Sequence, residues 1–257
     1  MTCETEILCG IHSVLEALNA KRRTFFKIYI SKDRNLSRLN EIIELAKIQL
    51  IQVEFISIKE LDSISNRVKH QGVAASVSHL PIKKAESEIN NLGSGKNNKE
   101  NIDNRKEIIV VLESIEDTHN LGAIIRTAIC AGVDHLIIPK DRAVQPSPAV
   151  SRISAGAMEH ADIWTATNIA SCLKLLKKKG FWIAGLDADG KTPLFSSDLT
   201  GNIALVIGGE HQGIRPLVKK ECDFLLSLPL KSTITSLNAS VACGIAIYEV
   251  VRQRGFT

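Results

Sequence analysis

The feature that most constrains the fold is a regular alternation of short apolar runs and amphipathic segments from residue 108 to the end of the chain. Ile108–Glu113, His135–Pro139, Phe181–Leu186, Ile203–Gly208 and Phe224–Pro229 are rich in aliphatic residues and read as strands. Leu121–Ala131, Ile169–Lys179, Pro216–Cys222 and Ala239–Arg252 carry helical spacing. A strand–helix–strand rhythm predicts an α/β domain over residues 108–257, with a parallel sheet covered on both faces. Ligands of such sheets bind beyond the carboxyl ends of the strands, where the polar and glycine-rich segments of this chain fall.

Upstream, residues 81–107 are dominated by Asn, Lys, Glu and Ser and hold four aliphatic side chains, Ile82, Ile89, Leu92 and Ile102. Such a stretch buries too little apolar surface to offset its ordering entropy, and it is expected to be a flexible linker. Residues 1–80 then form a separate, small α/β domain. Ile11–Ala20 places Val14, Leu15 and Leu18 on one helical face, and Leu36–Leu50 directs Leu39, Ile42, Ile43, Ala46 and Leu50 inward. Phe25–Ile30, Val53–Ser57 and Gly72–Ser78 read as strands. Lys21, Arg22, Arg23 and Lys27 are the densest basic cluster here, readable as a solvated turn or as an RNA contact.

Composition narrows the class. Hydrophobic residues are 44% and charged residues 23% of the 257, an ordinary globular balance. A net charge of +4 permits a nucleic-acid partner without arguing for one. The six cysteines form no C-x-x-C pair, which speaks against a zinc ribbon or a redox motif and fits a reducing cytoplasm. No run approaches the roughly 20 apolar residues of a membrane helix. The first ten residues, with Glu4 and Glu6, do not read as a signal peptide. The seven histidines are scattered, so no metal site is expected; His119 and His211 are read as structural.

Two glycine-rich segments need weighing. Gly185 to Thr192 satisfies the phosphate-loop pattern G-x-x-x-x-G-K-T, but Pro193 follows directly and no helix opens to receive an anion. Asp187 and Asp189 would also repel a polyphosphate, so a tight turn is the better reading. Gly208-Gly209-Glu210-His211-Gln212-Gly213 has Glu where a dinucleotide fingerprint needs Gly, although its glycines still allow close backbone approach to a ligand.

Three segments carry more information together. The first runs from Asp117 to Ala128; Asn120 reads as the helix N-cap, and Arg126 sits in an otherwise apolar helix. An arginine so placed is expected to be half-buried and to need an anionic partner. The second is Ala204 to Glu210. The third is Leu228 to Ser240, whose Ser236, Asn238 and Ser240 cluster at the start of the last helix.

In this order and near these spacings, the three segments resemble the motifs of the SpoU/TrmH (SPOUT) RNA ribose 2'-O-methyltransferases, over roughly residues 108–255. Gly10-Ile11-His12, Val14 and Ala17-Leu18 resemble the L30e-like RNA-binding domain of the larger members. Lys140-Asp141-Arg142, Ser154 to Glu159 and Tyr248 to Arg254 are similar to the subgroup that methylates a guanosine of large-subunit ribosomal RNA. His211-Gln212 and Ala242-Cys243 depart from the commoner residues without removing a motif residue.

The resemblance implies a deep trefoil knot, a cytoplasmic homodimer, S-adenosylmethionine as cofactor and rRNA as substrate. It implies a catalytic set of Arg126, Asn120, Glu210, Ser236 and Asn238. The cofactor pocket would comprise Ile207, Gly208, Gly209, Gly213, Leu228, Ser236 and Leu237. Lys21, Arg22, Arg23, Arg126 and Arg142 would contact RNA. Since a guanidinium is a poor base, Arg126 is expected to grip a phosphate and position the hydroxyl. A tRNA ribose methyltransferase, a non-catalytic RNA-binding or ribosome-assembly factor, and a phosphate-loop nucleotidase are the competing readings.

Overall fold

The structure, a computed structural model, describes residues 5–33, 36–93, 106–210, 212–231 and 236–255. It divides into two compact units, one of residues 1–81 and 146–161 and the other of residues 82–145 and 162–257.

The first unit begins with β1 (Thr5–Cys9), α1 (Ile11–Ala20), β2 (Phe25–Ser31), α2 (Asn40–Ile48), β3 (Val53–Ile56), α3 (Ile58–Ile64) and β4 (Val73–Ser78). Its sheet has the order β1-β4-β2-β3, with only β2 and β3 parallel. Alternate strand residues bury on opposite faces. Leu8, Ile28, Ile30, Ala75 and Val77 meet Val14 and Leu18 of α1 and Ile42 of α2, while Cys9, Ile56 and Ala74 meet Leu61 of α3. The expected inward position of Leu50 is wrong. The helix ends at Ile48, and Leu50, in the left-handed region at φ 56°, is 94% exposed.

The second unit starts inside the stretch expected to be a linker. Lys83–Lys84 is a strand, β5, and Ala85–Asn91 a helix, α4. Ala85 and Ile89, four apart on one helical face, are completely buried, and Lys179 Nζ donates to the carbonyls of Asn90 and Leu92 at 2.7 and 2.8 Å. Few apolar residues thus suffice because they share one face. The remainder of that stretch, residues 94–105, lies outside the described residues.

The chain continues through β6 (Ile108–Leu112), α5 (Thr118–Cys130) and β7 (His135–Pro139). It then returns to the first unit for α6 (Pro148–Ile153) and a 3-10 turn at Ala157–Glu159, a detour that the expected boundary at residue 108 did not include. Back in the second unit it forms β8 (Ile163–Ala166), α7 (Ile169–Lys178), β9 (Trp182–Leu186), β10 (Thr192–Pro193), β11 (Ile203–Ile207), α8 (Pro216–Lys219), β12 (Phe224–Ser227) and α9 (Ala239–Arg254). The sheet order is β10-β12-β9-β11-β6-β7-β8-β5, and all its pairings are parallel. β6 and β11, at its centre, are buried along their whole length, as a sheet covered on both faces requires. The α/β class and the parallel C-terminal sheet accord with the sequence reading.

Return of the chain at α6 is held by a buried ion cluster within the first unit. Arg23 donates to both carboxylate oxygens of Glu159, to Glu6 and to the Ser78 carbonyl, and Ser151 Oγ donates to Glu159 at 2.7 Å. The side chains of Arg23 and Glu159 are 1% and 0% exposed. Gly156, at φ 84°, lies where a Cβ would meet the His12 carbonyl at 2.6 Å, so only glycine lets this turn close on α1.

Candidate active site

The carboxyl ends of β9, β11 and β12 open into one pocket of about 470 Å³. Leu186 and Asp187 reach it from β9, Ile207 to Glu210 from β11, and Leu226, Leu228 and Leu230 from β12. Ser236, Leu237, Asn238 and Ala239 close it from the start of α9. The seven residues expected to form the cofactor pocket, Ile207, Gly208, Gly209, Gly213, Leu228, Ser236 and Leu237, all line it.

The glycines have a steric reason. A Cβ on Gly208 would stand 2.2 Å from the carbonyl carbon of Gly213, and one on Gly209 would stand 2.2 Å from the Ser114 carbonyl oxygen. The strand end is therefore pressed between two other backbone segments. Glu113, completely buried at the end of β6, fixes this crossing: it accepts from the Arg215 backbone N–H at 3.0 Å and from the Arg215 guanidinium. The sequence reading took Glu113 only as the end of a strand; a carboxylate closing an otherwise apolar run was the available signal.

Asp187 and Lys219 form an ion pair of 2.5 Å at the pocket wall, and Asp189 stands beside them. The segment after β9 is a tight turn closed by the Gly190 N–H on the Asp187 carbonyl, and it leads into β10 and one 3-10 turn at Leu194–Ser196 instead of opening an α-helix. This disposes of the phosphate-loop reading.

The three sequence motifs meet in one hydrogen-bonded line. Asn238 Nδ2 donates to Asn120 Oδ1 at 2.9 Å, and Asn120 Nδ2 donates to the Glu210 carboxylate. Asn238 Oδ1 caps α9, accepting from the Ser240 N–H at 2.9 Å, the Val241 N–H at 3.3 Å and Ser240 Oγ at 2.6 Å. Asn120 itself is buried and is not the N-cap of α5. Asp117 is, accepting from the His119 N–H at 2.7 Å, which places Asn120 one turn inside the helix, facing the other motifs.

Other expected site residues sit differently. Arg126 is exposed rather than half-buried and makes no hydrogen bond or ion pair among the described residues, because its position on α5 points away from the buried face of Leu121, Ile124, Ile125 and Ala128. Neither Asn120 nor Arg126 lines the pocket. Of the expected RNA contacts, Lys21 and Arg142 are exposed. Arg23 is consumed by the buried ion cluster, and Arg22 donates to the carbonyls of Glu159, Ala161 and Pro81, so the basic cluster of Lys21 to Lys27 is mainly internal mortar. Lys27 pairs with Glu54 at 3.0 Å. His211 lies outside the described residues, and His119 is exposed.

The sequence profile of the SpoU rRNA Methylase family matches residues 107–248. The chain belongs to that family. A second profile, RNA 2'-O ribose methyltransferase substrate binding, matches residues 7–82. Among SpoU relatives, the 23S rRNA (guanosine-2'-O-)-methyltransferase RlmB of Coxiella burnetii is 38% identical, covering 95% of this chain and 94% of its own. RlmB of Xanthomonas campestris pv. campestris is 35% identical over 99% of both chains. The crystal structure of the SpoU methyltransferase AviRb from Streptomyces viridochromogenes, in complex with the cofactor AdoMet, superposes with a TM-score of 0.77. At 19% identity, over 97% of this chain and 90% of that one, it shows a shared fold.

Proposed function

We propose that the protein transfers a methyl group from S-adenosylmethionine to the ribose 2'-hydroxyl of a guanosine in large-subunit rRNA. The observation that carries this reading is the line Glu210–Asn120–Asn238, which joins three separated motifs at the edge of a pocket suited to the cofactor. The fit is chemical. Leu226, Leu228 and Leu237 offer apolar walls to an adenine, the glycines allow backbone to approach it, and Asp189 and Glu210 suit a cationic sulfonium and ammonium, Asp187 being paired with Lys219. When bound, the cofactor supplies an activated methyl on sulfur.

What remains for the chain is to orient the nucleophile and accommodate its proton. Asn120, gripped from both sides, fixes Glu210 and the start of α9. Arg126, exposed and without a protein partner among the described residues, grips an RNA phosphate and sets the ribose hydroxyl in line. The names of the relatives describe the same reaction, and the match of residues 7–82 to a substrate-binding profile supports RNA holding by the first unit. A homodimer, a cytoplasmic location and the trefoil knot belong to the same reading. The knot is supported by the path of the chain: β12 lies beyond β9 from β11, yet α9 returns to pack on β11 and α5. Among the described residues no helix is long and apolar enough to cross a membrane.

The test is methyl transfer from labelled S-adenosylmethionine to unmodified large-subunit rRNA, mapped by resistance to alkaline cleavage. One protected guanosine is expected, lost with Arg126→Ala and strongly reduced with Arg126→Lys, while cofactor affinity stays within twofold or so of the parent by the division of roles. Near-normal turnover of Arg126→Lys would exclude the forked phosphate grip. Transfer to tRNA alone would keep the chemistry and change the substrate.

A further inference from the structure

A second cavity, of about 490 Å³, lies within the first unit between the approach to α2 and the loop before β4. Arg38, Asp62, Arg67, Lys69, His70 and Gln71 line it, and none of its lining residues is Phe, Tyr or Trp. We propose that this cleft seats consecutive phosphates of the substrate RNA and is the place where the first unit grips it. The proposal rests on the reading of the protein as an rRNA methyltransferase and gives its RNA-holding unit a location.

Charge carries the argument. Arg38, Arg67 and Lys69 are exposed and make no ion pair or side-chain hydrogen bond among the described residues. Elsewhere in the same unit Arg23 is taken by Glu6 and Glu159, Lys27 by Glu54 and Lys47 by Glu44. The remaining unpaired cations among its described residues, Lys21, Lys32, Lys59 and Arg152, line neither this cleft nor the other pocket, whereas these three share one cleft. The single carboxylate lining the cleft, Asp62, is itself engaged. Its Oδ1 lies 3.0 Å from His70 Nε2, and His70 Nδ1 accepts from the Gly72 N–H at 3.0 Å, which leaves the ring proton on Nε2 to point at Asp62. Three free cations around one cleft repel one another until an anion enters. Two of them are guanidinium forks, matched to phosphate oxygens. Ile11, the first residue of α1, also lines the cleft, so the positive end of that helix adds to the field.

The backbone holds these cations in place at some cost. Asn66, Arg67 and Gln71 take positive φ of 50°, 60° and 55°, in a region that residues with a Cβ avoid. Gln71 is fixed by its Oε1, which accepts from the Ile11 N–H at 3.0 Å. With no aromatic ring in the lining, base stacking is absent from the contact. The cleft reads backbone charge and leaves the choice of nucleotide to other parts of the protein.

The experiment uses the full chain, a fluorescent transcript of large-subunit rRNA, and the variant Arg38→Gln/Arg67→Gln/Lys69→Gln across a range of salt. RNA affinity is expected to fall ~10-fold or more, and the slope of log K against log salt to become shallower by about 2, as three lost phosphate contacts at roughly 0.7 each predict. S-adenosylmethionine affinity and the thermal midpoint stay as in the parent. Arg38→Lys/Arg67→Lys keeps the salt slope. Parent-like affinity and slope in the Gln variant, with methylation of rRNA intact in the parent, would overturn the cleft and leave the enzyme reading standing. A parent that neither binds nor methylates rRNA would fail the underlying reading, and the cleft with it.

Discussion

Asn120 holds two hydrogen bonds of opposite sense: its Oδ1 accepts from Asn238 while its Nδ2 donates to Glu210. Only an amide meets both demands in one planar group. Asn120→Asp would set a second carboxylate against Glu210 and is expected to lower methyl transfer by about 10- to 100-fold, the equivalent of roughly 1.5–3 kcal/mol for a hydrogen bond to a charged group. Single-turnover assays at saturating cofactor would check this; a rate within twofold of the parent would remove Asn120 from the working set. Gly208→Ala would drive a methyl against the Gly213–Ile214 backbone and is expected to cost about 1–3 kcal/mol in chemical denaturation, with weakened cofactor binding by calorimetry. At this scale the sequence was a good guide to which residues gather, because motif spacing reports loop positions directly. It was a poor guide to how each is used. Asn120 looked like a cap because it precedes the apolar run, but Asp117 is better placed for the open N–H groups. Arg126 looked half-buried because its neighbours in sequence are apolar, yet it falls on the exposed arc of α5.

Among elements, the edge of the large sheet is tied by Asp162. Burial pushes its carboxyl up, but hydrogen bonds from His135 on β7, Lys83 on β5 and Trp164 on β8 outweigh this and hold it well below the usual carboxylate range. A carboxyl depressed in the folded state contributes stability above its unfolded pKa of about 3.9, and loses that contribution as pH falls toward the folded value. Unfolding by urea from pH 6 to pH 3 should therefore show an acid-side loss that Asp162→Asn flattens; parallel curves for the two proteins would show that the tie is electrostatically idle. None of this edge was legible beforehand. β5 is two residues long, and β8 interrupts no turn signal strong enough to be read. The central strands β6 and β11 were legible because each is an unbroken aliphatic run.

Across the whole molecule, the first unit is made from two stretches of chain that are far apart in sequence. Arg23 and Glu159 join them, so Glu159→Ala leaves a buried guanidinium without its main partner and is expected to cost about 3–5 kcal/mol. Proteolysis followed by mass spectrometry should find residues 146–161 cut far faster in this variant than in the parent; equal protection would mean that apolar contacts alone hold the segment. Composition marked residues 81–107 as the natural division, and it could not show a later segment crossing back, since that contact depends on one glycine and two charges some 130 residues apart. The arrangement also has a consequence in time. On the ribosome, the first 81 residues emerge with their sheet complete and Arg23 held by Glu6 and the Ser78 carbonyl, but without its Glu159 partner. Glu159 follows only after a further stretch of synthesis lasting roughly 4–16 s at 5–20 residues per second. During that interval the nascent unit lacks the segment that completes it, so pausing or truncation of translation would leave a domain that looks finished in sequence but has not closed.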